Sequence, residues 1–154
     1  VAAALNKRQQ LSVPRMFGAL KNTTSNFDHH GIQNRSNLNR LEGALREFTA
    51  GATAATSAAQ SAPLGTPVVA GSLAVVGTLD LQVNELALVT GVNAWLAGTV
   101  ITNCVLGINA ANSTGASPQQ IDFYGGVYVL GKTPTADERA RVQQYLYGLA
   151  GITP

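Results

Sequence analysis

Short apolar segments recur along the chain, cut off by clusters of Gly, Pro, Asn and Ser, a spacing that predicts an antiparallel two-sheet sandwich and not βαβ units. Residues 1–5 and 15–20 are the first two expected strands, with 29–34 a third. Residues 38–49 carry two patterns at once. Leu38, Leu41, Leu45 and Phe48 trace a helical face, while Leu41, Gly43 and Leu45 alternate with Arg40, Glu42, Ala44 and Arg46 as in a strand. Gly43 in mid-segment and the strand-rich surroundings favour the strand.

Residues 50–65 are mostly Ala, Thr, Ser and Gly without a periodic apolar face, which predicts a flexible connector, with an alanine-rich helix as the rival. A strand over 68–76 then leads through Gly77 into Leu79, Leu81 and Val83, which alternate with Asp80 and Gln82. Asn84 and Glu85 are expected to turn that strand back into another over 86–89, because Asn accepts the positive φ of a tight hairpin. A further strand is expected from 100 or 101 to 108, a loop over 109–118, and the clearest strand of all over 121–130. There Ile121, Phe123, Val127 and Val129 are expected on one face and Tyr124 and Tyr128 on the other, under a C-terminal helix. Gly125 and Gly126 permit a bulge or a close backbone approach.

The helix is written over 135–150. Thr135-Ala136-Asp137-Glu138 is a capping box, two acids suit the helix dipole, and Val142, Tyr145, Leu146 and Leu149 form the stripe expected to lie on a sheet. Gly151 is a natural stop. The fold class expected is therefore all-β, an antiparallel two-sheet jelly-roll sandwich with one short C-terminal α-helix, and a length of 154 residues fits one domain over 1–154.

Composition changes the picture in one respect. Only 12% of residues are charged, and so neutral a surface suits a subunit packed among neighbours better than a free monomer. Residues 1–46 hold seven of the ten basic side chains against Asp28 and Glu42, a balance of +5 within an overall +2, which leaves −3 for the remainder. The basic residues form no run and have few interleaved aromatics, so nucleic acid is not an expected partner. No apolar stretch reaches the roughly 18 residues of a membrane span, and no membrane contact is expected. The chain opens without Met inside a strand-like run, which points to sequence upstream. Cys104 is the single cysteine, read as a small buried hydrophobe.

The segment Tyr-Val-Leu-Gly-Lys at 128–132, the following Thr-Pro-Thr-Ala-Asp-Glu-Arg-Ala and the ending Tyr-Leu-Tyr-Gly-Leu-Ala-Gly-Ile resemble the terminus of concanavalin A-like/laminin G-like jelly rolls, many of which occur in bacterial and bacteriophage proteins. The hairpin from Leu79 to Leu86 is similar to that family's strand, turn, strand element, and residues 1–5 to one of its early strands. The resemblance implies two stacked sheets, one concave, with rim loops that carry ligands in lectin-like members. Calcium-binding members gather acidic ligands in those loops and family glycosidases carry Glu-x-Asp-x-Glu. Neither pattern occurs here, so no metal, no cofactor and no enzymatic activity are expected.

Asp137 and Glu138 are explained by capping, and Glu42 and Glu47 differ in strand parity. His29 and His30 are adjacent and point to opposite faces of a strand, so they are read as loop or edge polar residues. The candidate ligand or partner contacts are Asn93 and Trp95 in a rim-like segment, and Asn109, Asn112, Ser113 and Thr114 in a polar loop. Trp95 is read as either a sugar- or partner-stacking aromatic or a core plug, and the polar loop as either a glycan contact or a solvated turn. Two functions are expected from this reading. The first is a structural protein of a bacteriophage virion (tail fibre, baseplate or head decoration) contacting other virion proteins or its own copies. The alternative is a carbohydrate-binding module of a secreted or surface protein, with a host surface glycan as its partner.

Overall fold

A computed structural model describes residues 1–8, 16–23, 26–34, 39–47, 53–75, 77–93, 103–105, 121–129 and 131–154. Eleven strands and one helix occur among them: β1 (Ala2–Lys7), β2 (Met16–Thr23), β3 (Asn26–Asn34), β4 (Arg40–Glu47), β5 (Thr53–Thr56), β6 (Gln60–Ser61), β7 (Val68–Val75), β8 (Gly77–Val83), β9 (Val89–Asn93), β10 (Asn103–Val105), β11 (Ile121–Val127) and α1 (Ala136–Ala150). They form two antiparallel sheets. One runs β11-β1-β7-β8-β9 and the other β10-β2-β3-β4-β5, with β6 also beside β4.

Alternation decides which side chains meet between the sheets. Ala3 and Leu5 of β1, Val68 and Ala70 of β7, and Leu81 and Val83 of β8 share one buried cluster with Ile32 and Leu41 of the second sheet. Burying each Val, Leu or Ile of this cluster stabilises the fold by roughly 2 kcal/mol. The intervening residues Ala4 and Val69 face the opposite way, where Leu146 and Tyr147 of α1 cover them. β1 and β7 are thus covered on both sides, which is why they read as apolar runs, whereas β8 alternates cleanly with Asp80 and Gln82.

The capping box forms as the sequence requires. The Glu138 amide donates to Thr135 Oγ1 at 3.2 Å and the Thr135 amide to Glu138 Oε2 at 2.8 Å, while Gly151 ends the helix in the left-handed region at φ 66°. Residues 40–47 are a strand, paired with β3 on one side and with β5 and β6 on the other.

Four expectations need correction. The stretch 50–65 is not a plain connector: β5 and β6 both pair with β4, and Ser57, Gln60 and Ala62 are buried. Its small residues carry no period because the free edge of β4, not their own pattern, supplies the pairing. Residues 86–88 are loop, and the strand begins at Val89, opposite Leu81. Asn84 does take a positive φ of 49°, but a two-residue type I′ turn needs two such residues and Glu85 is not one.

On α1 the buried side chains are Leu146 and Tyr147, whereas Tyr145 is 61% exposed and Leu149 42%. The helix is rotated toward Tyr147 because that phenol finds polar partners at the rim of the sheet. Finally, the register between β1 and β11 slips between Ala4, opposite Gly125, and Leu5, opposite Phe123, so that Tyr124 is an extra, bulged residue. The bulge resets the alternation: Phe123 shares the inner face with Leu5, while Tyr124 packs beneath α1. Tyr128 is carried to the space between the sheets and not to the helix.

Candidate functional site

The most chemically equipped place among the described residues is a polar seam between the sheets. His30 on β3, Gly43 on β4 and Ser72 on β7 all project into the inter-sheet layer, because the residues in step with them, Ile32, Leu41 and Ala70, belong to the shared core. The His30 ring lies between two hydroxyls, with Nδ1 3.1 Å from Tyr128 Oη and Nε2 3.3 Å from Ser72 Oγ. The Tyr128 ring meets the imidazole edge-on at 6.0 Å between centroids. Close by, Ser57 Oγ accepts from the Gly43 amide at 2.8 Å and donates to the Ala58 carbonyl at 3.2 Å.

A hydroxyl, imidazole, hydroxyl chain can in principle relay a proton, since each hydroxyl both donates and accepts. Here His30 and Ser72 are buried and the contacts span both sheets, so the arrangement joins the layers and fixes their relative register. The reading of His30 as a loop or edge residue is therefore corrected: it lies in the middle of β3, flanked by β2 and β4.

A second polar cluster docks the helix. Tyr147 Oη donates to Glu85 Oε1 at 2.8 Å, and Gln143 Nε2 reaches the Asn84 carbonyl at 2.8 Å and Tyr147 Oη at 2.6 Å. Burial, with the Glu85 carboxylate beside it, pushes the Tyr147 phenol up to about 12. Asn84 also extends the ladder, accepting from the Val69 amide at 2.8 Å through its side chain and donating its own amide to the Val69 carbonyl at 2.8 Å.

A third feature is apolar and faces outward. Tyr145 and Leu149 lie one turn apart on α1, and Val129, just past the edge strand β11, is 43% exposed. The Leu149 side chain reaches over Gly125, so close that a Cβ there would stand 2.6 Å from its Cδ1.

Of the candidate contacts read from the sequence, Asn93 closes β9, opposite Gly77. Trp95, Asn109, Asn112, Ser113 and Thr114 lie outside the described residues. Sequence reasoning missed the seam because its members are scattered, His30 standing 42 positions from Ser72 and 98 from Tyr128. No family model matches the chain, and no curated protein or solved structure is significantly similar to it.

Proposed function

We propose that the chain is a non-enzymatic structural module, a jelly roll that binds protein neighbours within a larger assembly such as a bacteriophage particle. The strand order supports the jelly-roll path. β1 pairs with β11 in one sheet and β2 with β10 in the other, so the two ends of the chain return to each other in nested fashion. The observation that carries the functional reading is the apolar set on α1 and beside β11: Tyr145, Leu149 and Val129 are large and exposed, with Leu149 reaching over the edge strand, in a chain whose charge content is low. Aromatic and aliphatic side chains presented this way are the usual anchors of protein contacts. The chemically equipped seam, by contrast, is turned inward and serves the fold.

The test uses native mass spectrometry and sedimentation of the chain over a wide concentration range, together with an antibody against it applied to particles purified from the source culture. The reading expects the chain in the particle band, and association that Tyr145→Glu with Leu149→Glu abolishes. A monomer at every concentration that is also missing from particles overturns it. Binding of that monomer on a glycan array would instead favour the lectin-like alternative.

A further inference from the structure

Lys7 closes β1 with its carbonyl accepting from the Gly65 amide at 2.9 Å, at the point where residues 62–67 cross from the second sheet to the first. In step with Ala3 and Leu5, its side chain points between the sheets, and the residue is 1% exposed. The Nζ is buried and makes no hydrogen bond. We propose that Lys7 makes this end of the protein a pH-dependent latch, in which protonation of the buried amine favours opening of the 62–67 crossover and deprotonation favours its closure.

The physical ground is that an ammonium removed from water without a partner is expensive, and the cheapest relief is to let water or the side chain through the nearest weak cover. The crossover is the segment tied to Lys7 itself. Residues 62–67 are Ala, Pro, Leu, Gly, Thr and Pro, held by the Gly65 amide on the Lys7 carbonyl and by the Ala62 amide on the Asn39 carbonyl at 2.7 Å. Among the described residues, no charge from the surrounding elements compensates the amine. β7 and β6 carry no titratable residue, and Asp122 on β11 is engaged with Arg8 and Asn6. Glu42, out of step with Leu41, belongs to the far face of its sheet and is bonded to Gln33. Burial alone accordingly lowers the Lys7 amine from 10.5 to about 8.

The sign follows from linkage. With the closed-state value below the open-state one, the closed form carries its full penalty below about 8 and sheds it as pH rises from about 8 to 10.5. That gap corresponds to about a 300-fold change in the opening equilibrium.

The decisive measurement is a pH titration of the intact chain labelled with 13C at the lysine ε-carbons, with Lys132 as the exposed reference, alongside amine acylation mapped by mass spectrometry. A Lys7 midpoint near 8, with acylation slow relative to Lys132, is expected. Unfolding midpoints should rise between pH 8 and 10 in the wild type and be flat over that range in Lys7→Met. A Lys7 midpoint at 10.5, or acylation as fast as at Lys132, overturns the proposal, and both readouts stand even if Lys7→Met fails to fold.

Discussion

The two ends of the inter-sheet layer treat polar groups in opposite ways. At one end, where the Val1 and Ser72 backbones exchange hydrogen bonds, His30 is held between the Ser72 and Tyr128 hydroxyls. At the other, Lys7 is equally enclosed and its amine is unbonded. The first end gains register and rigidity from satisfied polar contacts, and the second stores a penalty that protonation makes larger. The lesson is that burial of a polar group does not by itself mark a functional site; the state of its hydrogen bonds decides whether it locks the structure or loosens it.

The largest expected effect breaks the locked end directly. A Cβ on Gly43 would stand 2.7 Å from Ser72 Oγ and 3.3 Å from both the Asp80 carbonyl and Ser57 Oγ. The hydroxyls are committed to the seam and the carbonyl belongs to the facing sheet, so neither can yield freely. Gly43→Ala should cost about 3 kcal/mol in urea unfolding. Gly125→Ala offers the control, because its closest contact at 2.6 Å is the tip of the half-exposed Leu149 side chain, which can swing outward. Its cost should stay below about 1 kcal/mol. Equal costs at the two glycines would mean that the sheets are not held rigidly at the seam.

Removing the imidazole while keeping its volume is the next largest change. His30→Leu takes the bridging ring from both hydroxyls and should cost about 2 kcal/mol, with Tyr128→Phe costing about 1 kcal/mol. If His30 acts through Tyr128, the double variant should cost less than the two single costs combined, by a margin that a double-mutant cycle reads directly.

What the sequence made legible and what it hid divides along the same line. Local chemistry was readable: the Thr135 to Glu138 capping box, the Gly151 stop, the positive φ of Asn84, the bulge beside Gly125, and the strand over 40–47 marked by Gly43. Each depends on neighbours within a few residues. The β5 and β6 pairings depend on the open edge of β4, the burial of Tyr147 in place of Tyr145 depends on Glu85, and the seam depends on residues of β3, β4 and β7 and on side chains just past the ends of β5 and β11. None of these leaves a periodic trace, because a polar residue destined for a satisfied interior contact looks in sequence like any surface one. The slipped register at Tyr124 shows what the glycine pair left open: a bulge was permitted but not placed, and its position moved Tyr128 from the expected helix face to the inter-sheet face.

A smaller effect comes from the helix cover and separates it from both ends of the layer. The docked Tyr147 phenol keeps its proton to about 12 because burial opposes the phenolate, with Glu85 beside it adding to the same effect. The folded-state value is raised, so this contribution to docking is intact below the ordinary 10 and is lost as pH climbs toward about 12. Lys7 acts in the reverse sense at lower pH, so the combined contribution of these two groups should peak near pH 10. Tyr147→Phe should remove the alkaline limb, with a cost of about 1 kcal/mol at neutral pH for the bond to Glu85. A limb that survives in Tyr147→Phe would assign it to another group.

The smallest effect on stability is the one with the most functional content. Tyr145 lies on the same helix as Tyr147 and two residues away, yet it is 61% exposed where Tyr147 is 2%. A side chain that leaves most of its surface in solvent contributes little to folding, so Tyr145→Glu should shift the unfolding free energy by less than about 0.5 kcal/mol. The two tyrosines therefore give opposite signatures. Loss of Tyr147 is read in unfolding and in its pH dependence, whereas loss of Tyr145 is read only in association. If Tyr145→Glu destabilises the isolated chain as much as Tyr147→Phe does, Tyr145 serves the fold, and the outward apolar set loses its strongest member as a contact for neighbours.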